Sequence, residues 1–200
     1  GLLKDVEAHA NRVPRCQRTR DIVEPMLLPQ WFVDCRDMAA KSLKAVETGE
    51  LKLTPPSHDV TWKHFLKNIK PWCVSRQIWW GHRIPAWYCD DCGEITVSRT
   101  DALSCSKCKS KNIRQETDVL DTWFSAALWP FATLGWPEKT ADLAKFYPTS
   151  VLATDRGIIY LWVARMIMNG LEFMGKEPYH TVIIHPTILT DDGKRMSKSK

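Results

Sequence analysis

Two groups of residues have the types and spacings to do chemistry. The last seven positions, Lys194-Arg195-Met196-Ser197-Lys198-Ser199-Lys200, put four cations and two serine hydroxyls in one run. They follow Thr190-Asp191-Asp192-Gly193, a turn signal of the Asp-Gly kind. A loop of this composition presents several donors to one polyanion; the alternative is a solvated basic tail, the commoner meaning of a lysine run. The second group is Cys89-Asp90-Asp91-Cys92 and Cys105-Ser106-Lys107-Cys108, two Cys-x2-Cys knuckles separated by twelve residues. Two residues between cysteines turn both thiolates toward one ion, and two such pairs close a tetrahedral shell, the arrangement of a structural zinc ribbon. Four thiolates leave no open position for water, so such a site holds the fold and turns nothing over.

Composition sets bounds on the rest. A chain of 200 residues supports one good core, or a domain with an appended module. Its 28 Lys and Arg against 23 Asp and Glu leave a net charge of +5, which suits a polyanionic partner without demanding one. Ten tryptophans are costly to leave in water, so several are expected in a core or along a flat-ligand pocket. With no leader and no apolar run of membrane-spanning length, the expectation is a soluble, cytoplasmic protein with no membrane partner. Seven cysteines in such a chain favour thiols or metal over disulfides, and Cys16, Cys35 and Cys73, outside the knuckles, are expected as buried thiols. The chain starts at Gly1 in running sequence and stops inside its most informative loop, as a piece of a larger protein would.

The elements that must position these groups follow from pattern. Prolines 14, 25 and 29 and the absence of a sustained period make residues 1–30 an extended, stiff connector. Trp31-Phe32-Val33 reads as a short buried strand, and Arg36 to Val46 as a helix stopped by Gly49. Leu51-Lys52-Leu53, closed by Pro55-Pro56, reads as an edge strand. Trp62, Phe65, Leu66 and Ile69 share a face of a helix over 61–69. From Trp72 to Tyr88, four tryptophans mix with Arg76, Arg83 and His82, a composition suited to stacking on bases or adenine, or to packing on a sheet. Asp118 to Pro130 reads as a buried strand running into a short helix, and Pro148 to Thr154 as a strand. Ile158 to Met168 predicts a long apolar helix stopped near Gly170, and Thr181 to Ile184 a buried strand ending at His185-Pro186. Strand, helix, strand and then a chemically active loop is half of a parallel doubly wound sheet, with ligands at the carboxyl ends of its strands.

Three strings, taken whole, resemble one family. The run 194–200 resembles the Lys-Met-Ser-Lys-Ser signature of class I aminoacyl-tRNA synthetases. Ser75 to Trp87 is near-identical to the Ser-Arg-Gln-x-Trp-Trp-Gly-His-Arg-Ile-Pro-Ala-Trp segment of the valyl-tRNA synthetases, and Asp118 to Pro130 is similar to another string of theirs. The resemblance implies an α/β fold: the second half of a split doubly wound, Rossmann-like catalytic domain, with an inserted four-cysteine zinc ribbon and an extended N-terminal connector. It places the connector leaving an editing insertion at 1–35 and the first part of the second catalytic half at 36–88. The ribbon follows at 89–117, and the remainder, ending in the signature loop, at 118–200.

The reaction the resemblance implies is valine activation by ATP, with its Mg2+, to valyl-adenylate, followed by transfer to tRNA(Val). The upstream catalytic half and editing domain would belong to the same polypeptide, and these 200 residues alone would be inactive. By family match, Lys198 contacts the migrating phosphates, Arg195 stands where a lysine is usual, and Ser197 and Ser199 complete the signature. Asp155 and His185 are implied beside ATP. Here Asp155-Arg156-Gly157 replaces the common Gly-x-Asp, and Pro186 replaces a common glycine. Either the ribose is bound differently in a subgroup or Asp155 substitutes from two residues earlier. Trp123 and Trp162 match the amino-acid pocket, with Ile158 one helical turn before Trp162; the alternative is that these tryptophans are simple core, above all Trp162, whose helix is apolar nearly all round. The rival readings are a zinc-ribbon nucleic-acid-binding module without catalysis and, within the class, an isoleucyl- or leucyl-specific relative.

Overall fold

The computed structural model of the chain describes residues 1–196. Ser197, Lys198, Ser199 and Lys200 lie outside the described residues. The chain divides into two compact units, Gly1–Gln30 and a second beginning at Trp31.

The first unit forms no regular helix or strand, but it is not simply extended. A small hairpin closes at 14–23: the Cys16 N–H donates to Asp21 O at 2.8 Å, and the Val23 N–H to Pro14 O at 2.9 Å. Arg15 bridges Ile22, and Arg20 takes the left-handed conformation, φ +68°, to turn the chain. Local backbone bonding thus folds the expected connector back at its middle. Cys16, on that turn, is half-buried.

The second unit begins with β1 (Phe32–Val33) and α1 (Arg36–Glu47). The small residues Ala39, Ser42 and Ala45 let α1 pack closely, with Met38, Leu43 and Val46 at the margin. Gly49, φ +79°, follows the capping Thr48 and ends the helix as its sequence suggests. β2 (Lys52–Thr54) leads to α2 (His58–Lys67), which starts before the expected Thr61 and buries Trp62 and Leu66. It closes at Asn68, so Ile69 packs on the core from beyond the helix. β3 (Trp72–Cys73) pairs antiparallel with β1, but this pair lies near the surface: Phe32 is 59% exposed, against the buried strand expected there.

β4 (Ser75–Arg76) precedes a small antiparallel sheet of β5 (Ala86–Cys89), β6 (Ile95–Val97) and β7 (Ile113–Gln115), with β5 central. β8 (Val119–Leu120) returns to pair with β4, so the cysteine-bearing sheet leaves and rejoins the body at adjacent strands. Three short helices follow: α3 (Thr122–Ala126), α4 (Trp129–Ala132) and α5 (Ala141–Phe146). Thr140 caps α5 by accepting the Leu143 N–H at 3.0 Å.

β9 (Thr149–Asp155) is followed by a 3-10 turn (Arg156–Ile158), a π turn (Ile159–Val163), α6 (Ala164–Phe173) and β10 (Tyr179–His185). β10 is central in a parallel sheet of order β2-β10-β9, so β2 is the edge strand its prolines imply. One sheet face, with Leu53, Leu152, Val182 and Ile184, packs under α6 and against α1 and α2. The other is uncovered among the described residues: Ile183 is 41% and Val151 48% exposed. The run Thr181 to Ile184 therefore alternates where full burial was expected. Cover on one face only is unusual for parallel strands.

Gly170 lies inside α6 and does not stop it. A Cβ there would sit 2.7 Å from the Tyr147 hydroxyl oxygen and 2.9 Å from Pro178 Cδ, so close packing requires the glycine. The helix ends at Phe173, just before Gly175 at φ +70°. No helix among the described residues is long and apolar enough to cross a membrane.

Candidate functional site

β9 and β10 end in register, with His185 opposite Asp155. Both therefore stand at the carboxyl edge of the parallel sheet, where open α/β sheets bind ligands. Asp155 accepts hydrogen bonds from the Thr187 hydroxyl and, at 2.6 Å, from the Gly157 N–H. These bonds, with the nearby charges of Arg195 and His185, hold its carboxyl below the usual range. His185 is exposed, its Nδ1 3.0 Å from Pro186 O. Arg195 reaches the same edge from a hairpin in which Leu189 bridges Arg195 and the Thr190 N–H donates to Lys194 O at 2.8 Å. Its guanidinium nitrogen lies 3.3 Å from where a Gly157 Cβ would be. Asp155, His185 and Arg195 are thus brought together. Thr187 joins them without any sequence signal, since a lone threonine after His185-Pro186 has no characteristic spacing. Ser197, Lys198 and Ser199 belong to the run outside the described residues.

Trp123, Ile158 and Trp162 are each half-buried, whereas Val163, Met166 and Ile167 are fully enclosed. The Trp162 indole N–H donates to Ala126 O at 3.2 Å, and its ring lies 6.2 Å from that of Trp129. α3 packs on the π turn and on α6, which brings the segments carrying Trp123 and Trp162 together. The regular helix expected from Ile158 starts instead as 3-10 and π turns. Ile158 ends the 3-10 turn at φ −114° and ψ 13°, and Trp162 lies in the π turn, so the single regular helical turn expected between them is not formed.

Pattern reading overlooked a polar network behind α3. Asp121, 6% exposed, accepts from Trp72 Nε1 at 3.1 Å and pairs with Arg76 at 3.2 Å. The Arg165 guanidinium stacks 4.1 Å from the Trp72 ring centroid. Nothing in the sequence marks Asp121 out; only the fold brings Trp72, Arg76 and Arg165 around it. In the tryptophan-rich stretch, Trp87 is buried, but Trp79 and Trp80 are 96% and 86% exposed. Gly81 holds their loop close to β8: a Cβ there would meet Val119 Cγ2 at 2.7 Å.

The four knuckle cysteines converge. Cys89 and Cys108 sulfurs are 3.5 Å apart, those of Cys92 and Cys105 3.6 Å, and all four lie within 4.8 Å of one another. Thiolates bound tetrahedrally at about 2.3 Å from zinc stand about 3.8 Å from each other, so the donor set fits that ion. The two knuckles turn alike. Gly93, φ +72°, donates its N–H to Cys89 O at 2.9 Å, and Lys109, φ +62°, donates to Cys105 O at 3.1 Å. Backbone N–H groups of Cys108 and Lys107 pull the Cys105 thiol down to about 6. Cys92 is raised, the Glu94 N–H that favours its thiolate being outweighed by the sulfurs of Cys108, Cys105 and Cys89. A cation relieves that crowding. Glu116 clips this sheet to the body, accepting from Tyr88 Oη at 2.6 Å and Trp31 Nε1 at 2.9 Å.

Comparison with known proteins places these features in a lineage. Residues 5–200 match the family model described as tRNA synthetases class I (I, L, M and V). The chain is 52% identical to proteins named valine--tRNA ligase from Symbiobacterium thermophilum and Syntrophotalea carbinolica, over its whole length in each case. It spans 22% of the length of each of those curated relatives. Among solved structures, Mycobacterium tuberculosis methionyl-tRNA synthetase in complex with methionyl-adenylate matches with a TM-score of 0.62 at 16% identity, over 94% of this chain and 32% of that one. An Agrobacterium radiobacter LeuRS ternary complex matches with a TM-score of 0.54 at 18% identity, over 66% of this chain and 21% of that one. At such identities the structures speak for a shared α/β fold, and the family match over nearly every residue settles descent: the chain belongs to the class I tRNA synthetases.

Proposed function

We propose that the chain is part of a valine-tRNA ligase, which joins valine to ATP as valyl-adenylate, releases pyrophosphate, and transfers the valyl group to the terminal ribose of tRNA(Val). The observation that carries this reading is the 52% identity, across the whole chain, to ligases of that name. The parallel sheet is then the second half of a split doubly wound domain. The apolar face carrying Val151 and Ile183 supports this, because parallel strands require cover on both faces and an upstream half would provide it. The editing domain would belong to the same cytoplasmic polypeptide, and the 200 residues alone would not catalyse.

In this reading the valine carboxylate attacks the α-phosphate and pyrophosphate leaves, a step that depends on positioning and on cations following the developing charge. Arg195 and Lys198 supply cations from the signature run, Ser197 and Ser199 hydroxyl donors, and His185 and Asp155 flank the nucleotide. Magnesium bound with ATP supplies further neutralisation of the triphosphate. Trp123, Ile158 and Trp162 form a slot for a branched aliphatic side chain, limiting length by shape. Cys89, Cys92, Cys105 and Cys108 hold zinc as a structural cross-link. The exposed Trp79 and Trp80 beside His82 and Arg83 suit contact with an RNA partner.

Amino-acid-dependent pyrophosphate exchange by the full-length protein tests the reading. Valine should support exchange far better than isoleucine or leucine; a preference for either of those reassigns the specificity. Lys198→Ala should lower adenylate formation about 10²- to 10³-fold with valine binding nearly unchanged, because the lysine acts on charge that accumulates in the transition state.

A further inference from the structure

Gly157 stands where the chain turns off the carboxyl end of β9. Its backbone lies outside the left-handed region, and what a Cβ would meet there is the ends of two charged side chains. A Cβ there would lie 2.6 Å from Asp155 Oδ1 and 3.3 Å from Arg195 Nη2. A carboxylate and a guanidinium thus close on one bare α-carbon from two separate segments. The carboxylate is fixed: it caps the 3-10 turn through the Gly157 N–H and takes the Thr187 hydroxyl. The guanidinium belongs to a hairpin that closes on itself. Leu189 bridges Arg195, the Thr190 hydroxyl donates to Lys194 O at 2.9 Å, and the Gly193 N–H donates to Thr190 O at 2.8 Å. Lys194 pairs with Asp192 within the hairpin. Of the two cations Lys194 and Arg195, Arg195 is thus the one directed at the sheet.

We propose that Asp155 is a positioning residue. Its carboxylate faces Arg195 across the gap left by Gly157 without a direct ion pair between them, and its charge draws the guanidinium toward the end of β9 and biases where the 189–195 hairpin rests before nucleotide arrives. This role differs from a contact with the ATP ribose, in which Asp155 touches the substrate itself. The kinetic consequence rests on the reaction proposed above; the effect on the hairpin does not.

Hydrogen exchange at amides 189–195 of the nucleotide-free chain reads that resting position. Asp155→Asn keeps an oxygen for the Gly157 N–H and removes only the charge. It should accelerate exchange there by up to about twofold, the low end for an exposed charge pair because the two groups are not in direct contact. Arg195→Gln should do the same, the double variant should add nothing to either, and high salt should erase the difference. Unchanged exchange in Asp155→Asn, or additive effects in the double variant, overturns the proposal. In the full-length protein, Asp155→Asn should raise the KM for ATP in pyrophosphate exchange by a similar factor whether ATP, 2′-deoxy-ATP or 3′-deoxy-ATP is used. An effect that vanishes with a deoxynucleotide identifies a ribose contact and also overturns it. A wild-type protein without any exchange activity rejects the ligase reading, and hydrogen exchange alone then decides the role of Asp155.

Discussion

The indole N–H of Trp162 donates to the carbonyl of Ala126 at 3.2 Å, joining the crossover between β9 and β10 to the short helix α3. A buried indole N–H finds a partner in core and in pocket alike, so exposure is the distinguishing feature. Trp162 is half-buried at the margin of the core, whereas its neighbours Val163 and Met166 are fully enclosed. In the function proposed above, Trp162 would serve as a wall of the amino-acid slot.

Trp162→Ala in the full-length enzyme should raise the KM for valine about tenfold or more while moving that for ATP much less, as expected from losing about 1.5 to 3 kcal/mol of apolar contact. Trp162→Phe keeps a ring and loses the bond to Ala126, so a smaller rise is expected, on the order of 1 kcal/mol. Steady-state exchange kinetics in each substrate separate the two effects. If the alanine variant loses its native circular dichroism, the residue is core and the wall is wrong.

One zinc per chain is expected at Cys89, Cys92, Cys105 and Cys108, whose sulfurs already lie within 4.8 Å of one another. Elemental analysis of protein purified without chelator checks the stoichiometry, and Cys105→Ala should lower the thermal midpoint. A folded preparation that holds its native structure without metal would sink the claim.

Acid should loosen the cysteine-bearing sheet from the body through Glu116. Burial raises this carboxyl, but bonds from Tyr88, Trp31 and the backbone of Asp118 and Thr117 outweigh it and bring the group from an ordinary 4.5 to about 2. A depressed carboxyl adds stability that is whole above the unfolded value and is lost as pH falls from about 4.5 toward about 2. Denaturation midpoints measured across that range should fall, and Glu116→Gln should flatten this part of the profile. At neutral pH the variant should lose about 1 kcal/mol, the low end for bonds to a charged group because the site is partly solvated.

Gly170→Ala should destabilise the chain although it improves helix propensity. The gain is up to about 1 kcal/mol, whereas forcing a methyl against Tyr147 and Pro178 costs about 1 to 3 kcal/mol. A thermal midpoint equal to or above that of the parent would show that Tyr147 and Pro178 yield easily.

The amino-acid sequence by itself determined the local chemistry and most of the elements. Knuckle spacing identified Cys89, Cys92, Cys105 and Cys108 as one cluster, since two intervening residues leave the thiolates little choice of direction. Gly49 marked the end of α1, and Pro55-Pro56 marked β2 as an edge strand. Tertiary structure decided what depends on neighbours distant in sequence. Gly170 reads as a stop until Tyr147 and Pro178 are seen pressing on it, and Ile183 reads as buried until one sheet face is found uncovered. The same holds for Asp121, which lies unmarked within the strand-to-helix run 118–130 and which packing surrounds with Trp72, Arg76 and Arg165. At the sheet edge, the family resemblance implied Asp155 and His185 beside ATP and Arg195 in the signature run. Their meeting required parallel register between β9 and β10 and a hairpin folding back on Gly157, because hydrogen-bond ladders and side-chain contact, not spacing along the chain, bring such groups within reach.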